Sequence, residues 1–257
     1  MQVWSHCILI CSMIDYPYIN LFCYPAGAGG KFLVNCLSLN DSVVFQNREL
    51  VKKQLSGEFS VEDKIKYIND QLRIAEETKE WNDLNLGEWQ LHGLGWEQWT
   101  NTHPEIIKKY FDRVPWIQEC IDCNLHLTMV AHNFVRLELV NRVWSKAKVI
   151  VFTNSREFIE ERGYYIIDNL GYTNDSEVVE SREHFDQLWN QYTKNLSEKF
   201  VFDVKYSYEN CDNFYKTYTQ VCDYLNLPIT PKPIVENYFV AWKRIISQTT
   251  NQPSLQG

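Results

Sequence analysis

The feature that most constrains the fold is a run of small residues between two apolar stretches near the amino terminus. Residues 19–24 are mostly apolar, residues 26–30 are alanine and glycine only, and residues 32–39 are largely apolar again. This order predicts a buried strand, a tight loop and a helix. Small side chains let several backbone N–H groups converge, and the helix dipole points its positive end at the same place. We therefore predict an anion-binding loop, with phosphate as its expected ligand, formed by Ala26, Gly27, Ala28, Gly29, Gly30 and Lys31.

The loop differs from the standard nucleoside-triphosphate loop, which reads G-x-x-x-x-G-K-[ST]. Gly30 and Lys31 match the G-K pair, but Pro25 replaces the first glycine and Phe32 replaces the magnesium-binding hydroxyl. We therefore expect an anion that needs no metal. The alternatives are a glycine-rich turn without a ligand and a solvated Lys31, although a cation in the first turn opposes the helix dipole.

Composition is that of a globular protein and restricts the possible partners. The chain has 257 residues, 45% of them hydrophobic and 23% charged, with a net charge of −8. This acidic balance argues against nucleic-acid binding and against an anionic membrane surface. No apolar run approaches the length of a membrane span. The apolar run within residues 1–12 follows no lysine or arginine, so we do not expect a secretory signal.

The eight cysteines are scattered along the chain. This pattern favours reduced thiols and a cytoplasmic location. Cys120 and Cys123 form a lone C-x-x-C pair, for which half-buried thiols and a metal site are the alternatives. A structural zinc site needs four ligands, and no second pair has matching spacing, so we expect no metal.

Apolar runs alternate with helical periodicity along the chain, which predicts an α/β fold with a mostly parallel sheet covered on both faces. We expect a three-layer sandwich forming a single domain over residues 1–257. Strands are predicted at 18–24, 125–131, 148–153 and 200–205, and helices at 31–39, 61–78, 102–111, 133–143, from 156, 183–198, 211–225 and 233–248.

Residues 45–120 are predicted to be a mainly helical and aromatic insertion. Four tryptophans lie in its irregular part, at positions 81, 89, 96 and 99. Two interpretations remain open, a small hydrophobic cluster beneath the insertion and an aromatic wall that contacts an acceptor such as a sugar ring.

Polar residues follow three of the predicted strands. They lie at the carboxyl ends of these strands, which is where parallel sheets bind ligands. Lys31 follows the first strand, His132 follows the strand at 125–131, and Asn154, Ser155 and Arg156 follow the strand at 148–153. Tyr208-Glu209-Asn210 and a turn at residues 224–228 come after the last strand.

This order of motifs resembles the sulfotransferase family, whose members use 3′-phosphoadenosine-5′-phosphosulfate (PAPS) and share the P-loop type of α/β fold. Tyr24-Pro25 and residues 29–32 are similar to the family's Y-P-K-S-G-T-T-W loop, and Val130-Ala131-His132 is similar to its K-T-H motif without the lysine. Residues 153–157 take the place of R-N-P-x-D, with Thr153 for the arginine and Glu161 for the serine that bind the 3′-phosphate.

The resemblance implies transfer of a sulfuryl group from PAPS to a hydroxyl on a small molecule or glycan, without a metal. It implies that His132 is the base and that Lys31 stabilises charge on the leaving phosphate, although a hydrogen-bonded strand-end histidine is the other interpretation of His132. The residues expected to bind the cofactor are Ala26, Gly27, Ala28, Gly29, Gly30, Lys31, Phe32, Asn154, Ser155, Arg156 and Arg162.

Two other functions remain open. A P-loop kinase or nucleotide hydrolase fits the loop but not Phe32. A non-catalytic domain of the same fold, binding a nucleotide or a phosphorylated partner, fits the loss of the family's 3′-phosphate residues.

Overall fold

The computed structural model of the chain describes residues 18–24, 28–44, 48–78, 89–90, 119–120, 122–131, 146–154, 194 and 198–250. Its strands are β1 (Ile19–Cys23), β2 (Trp89–Gln90), β3 (Leu127–Ala131), β4 (Lys148–Thr153) and β5 (Phe200–Asp203). Its helices are α1 (Gly30–Ser38), α2 (Arg48–Leu55), α3 (Val61–Thr78), α4 (Val204–Glu209), α5 (Cys211–Leu225) and α6 (Lys232–Thr250).

The strands form one sheet in the order β2-β3-β1-β4-β5, and every pairing is parallel. Buried side chains occupy both faces of β1, since Leu21 and Phe22 are fully buried, and the same holds for Val149 and Ile150 of β4. A parallel sheet buried on both faces, with strands that alternate with helices, belongs to the α/β class. This part of the predicted fold is confirmed.

One face of the sheet packs on helices α1, α5 and α6 through an aromatic core. Phe152 and Phe202 stack with ring centroids 4.5 Å apart, and Phe32 of α1 stacks on Trp242 of α6. Helix α1 lies deep in this core, because Gly30 and every residue from Phe32 to Ser38 are buried. Its position brings the loop that precedes it onto an aromatic surface.

Local signals explain several boundaries. Helix α3 begins after Ser60, whose hydroxyl accepts from the Asp63 N–H at 3.2 Å while the Asp63 carboxylate accepts from the Ser60 N–H at 2.9 Å. This capping box confirms the predicted start of the helix. Strand β5 ends at Asp203, two residues earlier than predicted, because the Asp203 carboxylate caps α4 by accepting from the Tyr206 N–H.

Within residues 45–120, the structure describes α2, α3 and the short strand β2. Trp89 and Gln90 extend the sheet by pairing with Met129 and Val130, in a segment predicted to be irregular. The predicted helices at 102–111, 133–143 and from 156 lie outside the described residues, and so does the predicted helix at 183–198 except for residues 194 and 198. None of the described helices is both long and apolar enough to cross a bilayer.

Candidate functional site

The order of the strands creates a topological switch point between β1 and β4. From β1 the described sheet continues toward β3 and β2, whereas from β4 it continues to β5 on the opposite side. Loops that leave adjacent strands in opposite directions open a crevice at the carboxyl ends of those strands, where α/β proteins bind ligands. The loop before α1 and the residue Asn154 flank this crevice.

Gly29 gives the loop its shape. Its φ of 76° lies in the left-handed region, which glycine adopts without steric cost. It is followed directly by Gly30, the first residue of α1, and Gly29 at the N-cap supplies no side-chain cap. A left-handed residue next to a right-handed one turns successive N–H groups toward one side, the arrangement that binds anions in proteins. Pro25, Ala26 and Gly27 lie outside the described residues.

Packing explains why the residues at positions 29 and 30 must be small. A Cβ at Gly29 would lie 2.8 Å from Cε2 of Tyr208, and a Cβ at Gly30 would overlap the ring of Tyr24. Tyr24 is itself buried and packs on Phe152 with ring centroids 5.0 Å apart. The glycines therefore allow the loop to lie directly on the aromatic core. Ala28, the small residue before them, is also buried.

Lys31 lies in the first turn of α1 and is half-buried. It is the only charged residue in α1, and the first turn contains no acidic residue. The lysine therefore lies at the positive end of the helix dipole, after the carboxyl end of β1. A bound anion would be stabilised by both.

Phe32 has its side chain in the core. Its ring is fully buried and stacks on Trp242 at 4.2 Å between centroids, with 9° between the ring planes. It also contacts Phe214 and Tyr238, at 4.8 and 4.9 Å. The Phe32 N–H donates to the Gly29 carbonyl at 3.1 Å. The side chain at the position of the usual magnesium ligand is therefore structural.

Tyr208 of α4 contacts Gly29 of the loop from the core side. The sequence alone does not reveal this contact. The hydroxyl of Tyr208 donates to the Gly29 carbonyl oxygen at 2.7 Å. Its ring is buried and packs on Trp242 and Phe202, with centroids 4.9 and 5.3 Å away. The sequence marks this residue only through the resemblance of the Tyr208-Glu209-Asn210 segment to a family motif.

On the other side of the crevice, Asn154 follows β4 with a φ of 55°. Its Nδ2 donates to Oδ2 of Asp203 at 3.0 Å, and Oδ1 of Asp203 accepts from the Tyr206 N–H. Asn154 thus lies at the predicted edge of the sheet, but its amide already binds a carboxylate. Ser155, Arg156 and Arg162 lie outside the described residues.

His132 also lies outside the described residues. Its chain neighbour Ala131 ends β3 and is in register with Cys23, the last residue of β1. The carboxyl ends of β1 and β3 are therefore level.

A second polar cluster lies at the amino-terminal end of the sheet. The buried Asn20 amide donates from Nδ2 to Nδ1 of His126 at 3.2 Å, and the Tyr18 ring lies 4.8 Å from the imidazole. Burial, helped by the Lys148 charge, lowers the pKa of His126 to about 4. This neutral histidine is at the opposite end of the strands from the loop, so it belongs to the core and not to the candidate site.

The C-x-x-C pair consists of a buried Cys120 and an exposed Cys123. Burial raises the pKa of Cys120 to about 12, which keeps it a thiol at neutral pH. In the part of the chain that the structure describes, no three histidine, cysteine, aspartate or glutamate residues are grouped so as to hold a metal ion.

Comparison with protein-family models, with curated proteins and with solved structures gives no match.

Proposed function

We propose that this chain binds a nucleotide through a phosphate or sulfate group at the loop before α1, and that it is a sulfotransferase-like enzyme of the P-loop type. The observation that carries the proposal is the coincidence of three features at one switch point. These are the left-handed Gly29, the amino end of α1, to which this glycine supplies no side-chain cap, and the half-buried Lys31. Each favours an anion, and all three lie at the edge where parallel sheets bind ligands.

The buried Phe32 favours a metal-free donor over a magnesium triphosphate. In magnesium-dependent loops, a serine or threonine at this position ligates the metal. Here the ring is fixed between Trp242 and Phe214, so the position supplies no oxygen. PAPS suits such a site, because sulfuryl transfer needs positive charge at the leaving phosphate and does not require a metal in this mechanism.

In the proposed reaction, the acceptor is a hydroxyl of a small molecule or glycan. His132 takes the hydroxyl proton as the acceptor oxygen forms a bond to sulfur. The bond between sulfur and the phosphate oxygen breaks, and adenosine 3′,5′-bisphosphate leaves. Lys31 and the loop N–H groups stabilise the negative charge that develops on the leaving phosphate.

A second function is favoured by the Asn154–Asp203 hydrogen bond. Asn154 was expected to help bind the 3′-phosphate, but its amide is occupied by a carboxylate, whose charge repels a phosphate. This observation favours a non-catalytic domain that binds a different phosphorylated nucleotide or partner. The two functions share the loop and differ in whether a 3′-phosphate is recognised and whether turnover occurs.

Calorimetric titration of ligands into the protein tests the proposal. The ligands are adenosine 3′,5′-bisphosphate, adenosine 5′-monophosphate, sulfate, and ATP with and without magnesium. We expect the bisphosphate to bind, ATP to gain nothing from magnesium, and Lys31→Ala to weaken binding about tenfold to a hundredfold. That loss corresponds to one charged hydrogen bond of about 1.5–3 kcal/mol. Lys52→Ala is the control, since Lys52 is exposed on α2, and it should bind as the wild type does.

The outcomes separate the two functions. A preference of at least tenfold for the bisphosphate over the monophosphate, about 1.4 kcal/mol, and release of the bisphosphate from PAPS in the presence of hydroxyl acceptors would support the enzyme. Equal binding of both nucleotides without turnover would support the non-catalytic domain. Failure of every ligand to bind the wild type, or unchanged binding by Lys31→Ala, would overturn the assignment of the loop.

A further inference from the structure

We propose that the hydroxyl of Tyr208 is a positioning group for the anion loop, which it holds in the binding geometry from the core side. This inference rests on the proposed function of the loop and names the residue that sets its shape. Tyr208 would not touch the anion. It would act through the peptide bond between Gly29 and Gly30.

The geometry follows from a planar trans peptide bond, in which the C=O and the following N–H point in opposite directions. The Gly29 carbonyl accepts two hydrogen bonds, from the Tyr208 hydroxyl at 2.7 Å and from the Phe32 N–H at 3.1 Å. Both of its lone pairs are thereby engaged. Because the carbonyl is fixed toward Tyr208, the Gly30 N–H must point away from it, which is the direction of an anion held by the loop.

Burial makes this arrangement rigid. Tyr208 is 1% exposed and its ring is enclosed by Trp242, Phe214 and Phe202. The ring also lies so close to Gly29 that a Cβ there would be 2.8 Å from Cε2. The hydroxyl therefore contacts the loop from a fixed position. A preorganised donor binds better than one that must be ordered on binding.

Because a glycine forms the turn, the orientation of its carbonyl depends on hydrogen bonds from other residues. Gly29 has wide backbone freedom, so the peptide that it precedes could rotate. A rotated peptide would direct the Gly29 carbonyl oxygen, and not the Gly30 N–H, at the ligand. An oxygen in that place would repel a phosphate or sulfate. The Tyr208 hydroxyl, together with the Phe32 N–H, opposes this rotation.

The test compares two buried tyrosines of the same aromatic core. Tyr208→Phe removes only the hydroxyl on Gly29. Tyr218→Phe removes a hydroxyl that donates to Oγ1 of Thr230 at 2.8 Å and not to Gly29. Both rings are retained, and each variant loses one buried hydroxyl together with its hydrogen bonding, so their losses of stability should be of the same order.

Adenosine 3′,5′-bisphosphate and inorganic sulfate are titrated into the wild type and both variants by calorimetry, and stability is measured by urea unfolding. We expect Tyr208→Phe to bind both ligands at least tenfold more weakly, about 1.4 kcal/mol, while Tyr218→Phe binds as the wild type does. A merely structural role of Tyr208 would lower stability in both variants without separating their affinities.

Three results would overturn the inference. If the wild type binds and Tyr208→Phe binds equally well, the positioning role is wrong and the proposed function survives. If the two variants lose affinity equally, the hydroxyl acts through general stability and not through the loop. If the wild type binds neither ligand, the positioning role and the proposed function fail together.

Discussion

Replacement of Phe32 tests whether its side chain stabilises the core and takes no part in metal binding. The variant Phe32→Thr restores the hydroxyl of the standard triphosphate loop, and Phe32→Ala removes the ring. If the side chain is structural, both variants should be destabilised, and Phe32→Thr should acquire no magnesium-dependent affinity for ATP.

The size of the effect follows from the surroundings of the ring. Phe32 is fully buried and its centroid lies between 4.2 and 6.0 Å from five aromatic rings, those of Tyr208, Phe214, Tyr238, Phe239 and Trp242. Truncating such a side chain to alanine costs about 3–5 kcal/mol in folding free energy. A threonine adds a buried hydroxyl, which costs about 1–3 kcal/mol when unpaired. Since the stability of a domain is about 5–15 kcal/mol, the loss is a large fraction of the total.

Urea unfolding followed by tryptophan fluorescence measures the loss, and thermal unfolding should show a fall in Tm of about 6–20 °C for a chain of this size. Phe59→Ala is the control, because Phe59 is only partly buried at the margin of the same core, and its loss should be smaller. A Phe32→Ala variant destabilised by less than about 1 kcal/mol would refute the packing argument. A stable Phe32→Thr variant that binds ATP only with magnesium would refute the metal-free assignment.

Two further changes test the core and the loop separately. The pKa of His126 is lowered to about 4 in the folded chain from the usual 6.5. Between these pH values the unfolded chain therefore binds more protons than the folded chain. The free energy of unfolding should fall as the pH falls from 6.5 toward 4, by at most roughly 3 kcal/mol. Urea unfolding across this range should show a shallower pH dependence for His126→Gln, and an unchanged dependence would contradict the assignment. Gly30→Ala should displace the ring of Tyr24, lowering stability by about 1–3 kcal/mol and weakening sulfate binding in the same titration. Wild-type stability and affinity in this variant would show that the close packing is not required.

Elements with strong local signals were predictable from the sequence. The predicted helix at 61–78 matches α3, because the Ser60–Asp63 capping box marks its start. The predicted strand at 148–153 matches β4, since a short apolar run rich in valine, isoleucine and phenylalanine favours a buried strand. The predicted helix at 211–225 matches α5, where Asn210 caps the first turn and Asn226 ends the helix in a left-handed conformation.

Elements that depend on distant contacts were not predictable. Helix α4 follows β5 without a break in the apolar pattern, so Val204 and Lys205 were assigned to the strand, and only the capping carboxylate of Asp203 separates the two elements. The support of the loop by Tyr208 joins residues 179 positions apart. The small residues near position 29 predict an anion loop. The aromatic side chains that pack against Gly29 and Gly30 come together only in the tertiary fold.

The two ends of α1 differ in how a nearby lysine charge relates to the helix dipole. Beyond its carboxyl end, the buried Lys64 donates to the carbonyl oxygens of Asn40 and Val43, at 2.8 and 3.3 Å. Burial lowers the pKa of Lys64 to about 8, while the Asp41 carboxylate acts in the opposite direction. Lys64 therefore remains mostly protonated at neutral pH, where its charge complements the negative end of the helix dipole.

The amino end of α1 carries the opposite relation between charge and dipole. Lys31 adds positive charge to the positive end of the dipole, and the first turn of α1 itself contains no acidic residue. One buried helix thus has a lysine near each end, and the helix dipole favours only the one at the carboxyl end. A divalent anion such as phosphate or sulfate, seated on the N–H groups after Gly29, would interact favourably with both the dipole and Lys31. The charge arrangement of α1 therefore supports the proposed ligand without reference to any resemblance.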